Sequence, residues 1–371
     1  MSTPWHIVSN IADIPSPALL VYPDRVRENI RRAIAIAGDP SRLRPHIKTH
    51  KCGAVIRMHL DLGVTKFKCA TIAEAEMAAT AGARDVLVAA QLIGPNLRRF
   101  AALRRKFPTT VFSTICDSPE IATALSALAK SETKNAKPIL TYLDLNCGMD
   151  RTGTIPDDKA FELYRQITKL PGLTIAGLHA YDGHIHDADL AAREAQVEQF
   201  NTALTEFRQR LVQSDLPVPN TIASGTPTFA LHARHQDRDC SPGTYVFWDF
   251  GYQRFTDLDF NLAALVLTRI ISKPTPNRLC LDLGHKAVAA ENPQPRVQFL
   301  NLPTATPVMH SEEHLVLESG EAANWNVGDV LYGVPRHICP TVALHDFCYP
   351  VENGLAGDPW PIEARRRKIT I

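Results

Sequence analysis

The most reactive arrangement in this 371-residue chain is Arg44-Pro45-His46-Ile47-Lys48-Thr49-His50-Lys51, which ends a short apolar run. Strand alternation puts His46 and Lys48 on one face, and a lysine turned into a barrel interior is desolvated toward a neutral, nucleophilic amine able to form a Schiff base. A solvated basic loop is the other reading, and this segment alone does not choose between them. Further along, Arg151 sits in the glycine-bounded turn Leu143-Asp144-Leu145-Asn146-Cys147-Gly148-Met149-Asp150-Arg151-Thr152-Gly153, where a guanidinium can donate to an anionic oxygen. Ser224-Gly225-Thr226-Pro227-Thr228 precedes a helical start and offers backbone N–H groups and hydroxyls to a phosphate, and Pro242-Gly243-Thr244-Tyr245 follows it. Gly/Ser/Thr turns are common, so neither is specific by itself.

His337-Ile338-Cys339 is a different kind of motif. If it lies on a strand, residues two apart project to the same side, so imidazole and thiolate converge on one cation. A borderline and a soft ligand favour zinc, and two protein ligands leave positions open to water or substrate, as in catalytic sites. Taken alone, a chance His-x-Cys pair is the simpler reading. His310-Ser311-Glu312-Glu313-His314 either supports such a site or forms a polar surface turn. His179, His184 and His186, around Tyr181-Asp182-Gly183, are candidate acids or bases, whereas His59, His232 and His285 read as structural.

These groups need rigid elements to carry them. From Pro17 to about Phe229, short apolar or β-branched runs alternate with segments of helical period. Eight strand candidates (18–22, 43–48, 67–71, 85–90, 110–115, 139–145, 173–181 and 221–224) predict a (β/α)8 barrel, with the functional groups at its strand ends. An open doubly wound sheet is disfavoured, because no GxGxxG follows the first strand. Beyond about Tyr245 the strand-like runs 262–272, 279–283, 297–302, 313–318 and 330–333 are broken by Pro, Gly and Asn. The expected organisation is therefore a barrel over 12–250 and a β-rich domain over 251–371, joined by residues 1–11. No internal repeat or low-complexity tract interrupts it.

Composition narrows the function. With 45% hydrophobic and 21% charged residues the chain can bury a large core, and a net charge of +1 offers no broad cationic surface to nucleic acid. The basic run Arg365-Arg366-Arg367-Lys368 reads as a solvated end. There is no long apolar span and no basic leader followed by an apolar stretch, so a cytoplasmic protein with no membrane partner is expected. The eight cysteines show no CxxC spacing and are expected to be mostly reduced and buried.

Taken in order, RPHIKTHK (44–51), DLNCGMDRTG (144–153), HAYDG (179–183), SGTPT (224–228), PGTYVF (242–247), HSEEH (310–314) and PRHICPTVALHD (335–346) resemble the fold-type III pyridoxal phosphate enzymes. Within that group the chain resembles the D-threonine aldolase and D-serine dehydratase family, which has an alanine racemase-like N-terminal barrel. The resemblance implies pyridoxal 5'-phosphate bound as an imine on Lys48, its phosphate near Thr226, Gly243 and Thr244, its ring flanked by His46 and Tyr181, and its phenolic oxygen faced by Arg151. It implies a divalent metal on His337 and Cys339 (zinc first, manganese or magnesium as alternatives), a small D-amino acid substrate and a homodimer. The reaction implied is retro-aldol cleavage of D-β-hydroxy-α-amino acids to glycine and an aldehyde. The alternative is a D-serine or D-3-hydroxyaspartate dehydratase releasing ammonia; a racemase or a non-catalytic cofactor carrier has no use for His337 and Cys339.

Overall fold

The computed structural model describes residues 4–132 and 137–371. The chain divides into two compact units: residues 31–48, 56–243 and 366–371 form one, and residues 1–30, 49–55 and 244–365 the other.

The first unit is built on seven parallel strands in sequence order: β2 (Lys66–Cys69), β3 (Asp85–Gln91), β4 (Val111–Cys116), β5 (Ile139–Leu145), β6 (Leu173–Ala180), β7 (Asn220–Ala223) and β8 (Asp239–Cys240). Isolated parallel bridges Leu43↔Cys240 and His46↔Lys68 insert the 43–46 segment between β8 and β2 and close the ring. The predicted α/β barrel is thus present. One residue from each of β3 to β7, Leu87, Ile115, Tyr142, Ala176 and Ile222, packs into a buried apolar cluster. The helices form where local chemistry specifies them. Over α6 (Asp158–Lys169) the Asp157 carboxylate accepts from the backbone of Lys159 and Ala160, while Ala160, Leu163, Tyr164 and Ile167 bury one face. Over α5 (Pro119–Ser131) the cap is Ser118 with Pro119 in the first turn. The long α7 (Leu190–Gln213) starts at Asp189, whose side chain accepts from Ala192 N.

At the N-terminal end of the barrel, Arg44 makes a bidentate ion pair with Asp85 (2.6 and 2.9 Å) and reaches Asp239 (3.2 Å), which also accepts from Lys66 (2.7 Å) and Asn220 (3.0 Å). Burial opposes the charge on the Arg44 guanidinium, but Asp85 and Asp239 outweigh it. This network ties the first stave to β2, β3, β7 and β8.

The second unit is a ten-stranded sheet. It comprises β1 (Ala18–Val21), β9 (Ala264–Thr275), β10 (Arg278–Leu281), β11 (Val297–Phe299), β12 (Thr306–His310), β13 (Leu315–Glu318), β14 (Val330–Pro335), β15 (Phe347–Glu352), β16 (Leu355–Ala356) and β17 (Trp360–Pro361). The first predicted barrel strand is found here: β1 runs antiparallel to β9 (Leu19↔Val266) and parallel to β15 (Leu19↔Cys348). The barrel accordingly does not begin at residue 12, and residues 1–30 belong to the β-rich unit. Ala-Leu-Leu-Val is apolar at every position because it is buried on both faces, and such a run carries no period that says which sheet it joins. Residues 4–14 pack against this core as turns: Val8 and Ile14 are buried with Leu20, Leu265 and Tyr332, and Val8 N donates to Tyr332 Oη. Among the described residues no helix is long and apolar enough to cross a membrane.

Candidate active site

In the barrel unit the side chains at the C-terminal strand ends converge on one aromatic ring. Tyr181, just beyond β6, has Arg151 Cζ 4.9 Å, Lys68 Nζ 5.2 Å and Lys48 Nζ 5.9 Å from its ring centre. Three cationic side chains gathered around one ring repel each other, and the ring's π-electrons, together with any anion placed there, offset that repulsion. Arg151 is delivered by the predicted turn, in which Asn146 Oδ1 accepts from Gly148 N and Asp150 N. Gly153 has φ of +94° and lies so close to Asn146 N that a Cβ would sit 2.5 Å away, so only glycine closes this turn. Arg151 and Tyr181 line a small cavity together with Asp144 and Asn146.

The 224–228 loop, whose Gly225 lies near the Tyr181 ring, is held by hydrogen bonds. Gly225 N donates to Asp182 Oδ1 (2.8 Å), and the other Asp182 oxygen meets His232 Nε2 (2.8 Å) in a fully buried pair. His232 is thus a structural histidine, as the sequence suggests. Thr226 Oγ1 accepts from Gly243 N (3.0 Å), which joins the two turns expected to cradle a phosphate. His46 Nδ1 lies 3.3 Å from Lys48 N and orients the lysine's backbone. Lys48 itself is half-buried and sits in a turn, not in the strand that alternation suggests.

The deeply buried lysine is Lys68, 2% exposed, which sequence reading missed. Its Nζ donates to Ser241 Oγ (2.5 Å). Burial, then the charge of Lys48, bring its pKa down to about 7 against the opposing pull of Asp182 and Asp144. The alternation that singles out Lys48 also applies to Lys66-Phe67-Lys68-Cys69, where both lysines alternate with buried apolar side chains. The second group, His179, is now distinguished from His184: its Nδ1 lies 2.6 Å from Asp144 Oδ1, and Asp144 also accepts from Gln91. Burial lowers the His179 pKa despite Asp144, which favours the neutral ring with its Nδ1 proton directed at the carboxylate. His179 Nε2 is buried and unpartnered among the described residues.

The β-rich unit holds the other candidate cluster. His337-Ile338-Cys339 is not on a strand: β14 ends at Pro335, His337 is extended at the N-cap, and a short helix, α1′ (Ile338–Val342), begins immediately. The two side chains nevertheless come near enough to interact electrostatically. Cys339 Sγ also contacts Thr49 Oγ1 (3.2 Å) and Thr244 Oγ1 (3.6 Å), so the Thr244 hydroxyl faces the thiol. Burial disfavours charge on both partners, yet each stabilises the ion of the other. The imidazole, helped by Glu291 at 2.6 Å and by Asp249, is raised to about 9, and the thiol is lowered. Asp249, buried, accepts from Ile338 N (2.9 Å) and fixes the start of the helix; burial raises it to about 7.

Both donor sets can be tested against the groups they are expected to hold. An aromatic platform ringed by cations, beside a Gly/Thr cradle, fits a flat aromatic aldehyde carrying a phosphate. Glu291 engages His337 Nδ1 and leaves Nε2 as the ring atom that could face a cation, with Cys339 interacting with the same imidazole, which fits an open two-ligand cation site with a carboxylate supporting the histidine. Among the described residues no group of three or more His, Cys, Asp or Glu side chains could close such a site. The 310–314 segment does not join it. His310 packs on His285 at 4.4 Å and against Arg296, while Glu312 and Glu313 pair with Lys286.

The alanine racemase N-terminal domain model matches residues 21–249, and the serine dehydratase domain model matches residues 263–351. The chain is 29% identical to a D-threonine aldolase of an Arthrobacter species over 95% of its own length and 93% of the relative's. It is 25% identical to a D-threo-3-hydroxyaspartate dehydratase of Delftia sp. (strain HT23) over 93% and 95% of the two chains. Its fold matches the crystal structure of D-threonine aldolase from Filomicrobium marinum with a TM-score of 0.89 at 27% identity, over 96% and 97% of the two chains. With residues 21–249 matched by the one model, 263–351 by the other and the fold matched over nearly the whole chain, the chain belongs to the alanine racemase N-terminal domain family of fold-type III pyridoxal phosphate enzymes.

Proposed function

We propose that this protein is a pyridoxal phosphate- and divalent metal-dependent lyase that cleaves D-configured β-hydroxy-α-amino acids to glycine and an aldehyde. The observation that carries the reading is the presence in one chain of two distinct donor sets: amine, guanidinium and aromatic ring at Lys48, Arg151 and Tyr181, and imidazole with thiolate at His337 and Cys339. A racemase or a cofactor carrier needs only the first.

Pyridoxal phosphate, when bound, supplies an electron sink that weakens the bonds at the substrate Cα, and a divalent cation lowers the pKa of a hydroxyl. The protein does the rest. Lys48 offers the amine that attaches the cofactor, with His46 setting its backbone. The Tyr181 ring supports the aromatic group, Arg151 neutralises oxygen anion charge at its edge, and Thr226 with the Gly243 and Thr244 backbone receives the phosphate. His337 Nε2 and Cys339 Sγ hold the cation, zinc by ligand softness. His179 Nε2, kept an acceptor by the Asp144 hydrogen bond, is available to take and return a proton. The same arrangement serves a dehydratase if Lys48 removes the α-proton and the β-hydroxyl departs. We place the enzyme as a homodimer on the family resemblance, and in the cytoplasm on the sequence reading given above.

The purified protein with D-threonine decides the reaction. Glycine and acetaldehyde are expected; 2-oxobutanoate and ammonia as sole products would establish the dehydratase. Parallel incubations with D-serine and D-3-hydroxyaspartate identify the side chain accepted.

A further inference from the structure

Lys68 has no role in the function proposed above. It is a buried amine that forms no ion pair among the described residues. Both nearby carboxylates are engaged, Asp182 by His232 and Gly225 N, and Asp144 by His179 and Gln91. The single hydroxyl proton of Ser241 has the Ala223 and Ser224 carbonyls to serve (3.1 and 3.0 Å), so toward Lys68 this side chain is purely an acceptor. One of three possible amine donors is used there, while Nζ stands 5.2 Å from the Tyr181 ring centre, on the ring that Lys48 and Arg151 also face. A buried amine so poorly compensated costs stability, a feature retained at sites that meet an electron-rich ligand.

We infer that Lys68 is a positioning residue for the cofactor: together with Ser241 it presents an N–H to an electron-rich edge atom of the flat ring seated at Tyr181, and its charge is linked to the protonation state of that cofactor. This rests on the cofactor reading above. The depressed proton affinity of Lys68 agrees with the assignment, because an amine near neutrality can shift between donor and neutral forms as charge on its neighbour changes.

The test compares wild-type protein with Lys68→Met after loading each with pyridoxal phosphate. Three measurements are made: the cofactor dissociation constant by equilibrium dialysis, the pH at which the bound cofactor's visible absorption changes, and the thermal midpoint of the cofactor-free protein. Loss of a nearby positive charge should weaken cofactor binding about tenfold or more and move the absorption transition up by about one pH unit, while the cofactor-free protein is as stable as wild type or more so. Lys68→Arg should retain most of the wild-type position of the transition, and Ser241→Ala should move it in the Met direction by less. These two variants carry the test if Lys68→Met does not fold. An unchanged dissociation constant with an unmoved transition would overturn the role of Lys68, as would a loss of stability with unaltered spectra, which would mark it as purely structural. If the wild-type protein takes up no cofactor, the proposed function fails first, and the inference with it.

Discussion

Substituting Gly183 by alanine examines the tyrosine platform without touching any group that does chemistry. A Cβ at Gly183 would lie 2.4 Å from Tyr181 Cε1, 2.6 Å from Cζ and 2.6 Å from the hydroxyl oxygen. Carbon atoms pack at about 3.5–4.0 Å, so the ring must retreat by about 1 Å. On its other edge the backbone of Gly225, whose missing Cβ would stand 3.4 Å from Cε2, limits how far the ring can retreat. Overpacking of this kind costs about 1–3 kcal/mol of stability, and a displacement of about 1 Å at a site that orients reactants costs about a hundredfold in rate, or ~2.7 kcal/mol of barrier. Gly183→Ala is therefore expected to unfold a few degrees lower, to bind pyridoxal phosphate more weakly and to lose about a hundredfold in kcat/KM for D-threonine. Gly320→Ala, where an added Cβ meets nothing within 4 Å, is the control and should behave as wild type. If Gly183→Ala bound the cofactor and turned over within twofold of wild type, Tyr181 would not be the platform.

Borohydride reduction of the cofactor-loaded protein should fix the cofactor to Lys48; a labelled Lys51, Lys68 or Lys286 peptide would reassign the nucleophile. Chelation, or Cys339→Ala, should abolish turnover while the cofactor's visible absorption and the fold persist, and full activity of the chelated Cys339→Ala protein would end the metal reading. Because His337 must lose a proton that Cys339 and Glu291 hold up to about pH 9, zinc affinity should rise with pH through the neutral range and level off above about 9. Flat affinity in isothermal titration over that range contradicts the site. At the opposite end of the barrel, Arg44→Met takes the shared cation from half-buried Asp85 and buried Asp239, and because Asp239 keeps Lys66 denaturant unfolding should show a loss of about 3 kcal/mol, the lower end for a broken buried pair.

The sequence by itself determined the period of the elements and the chemistry carried at their ends. Asp157, Ser118 and Asp189 cap the helices after them, apolar positions at helical spacing bury one face, and the strand ends carry Lys48, the Arg151 turn and the 224–228 loop. Those properties are local: a cap bonds to a backbone N–H two or three residues away, and a strand's alternation is written in its own side chains. Partners far apart in the chain were decided only by the tertiary structure. Ala18–Val21 reads equally well as a barrel strand, and its place beside β9 and β15 depends on pairings with residues more than 240 positions away. His337 and Cys339 do come near each other, but at a helix start fixed by Asp249 from a distant turn, not through strand alternation. Among three histidines near Tyr181 only the fold identifies His179, because Asp144 comes from the neighbouring strand. Lys68 shows the same limit from the other side: a lysine in a short strand looks ordinary until the ring closes around it and removes its water.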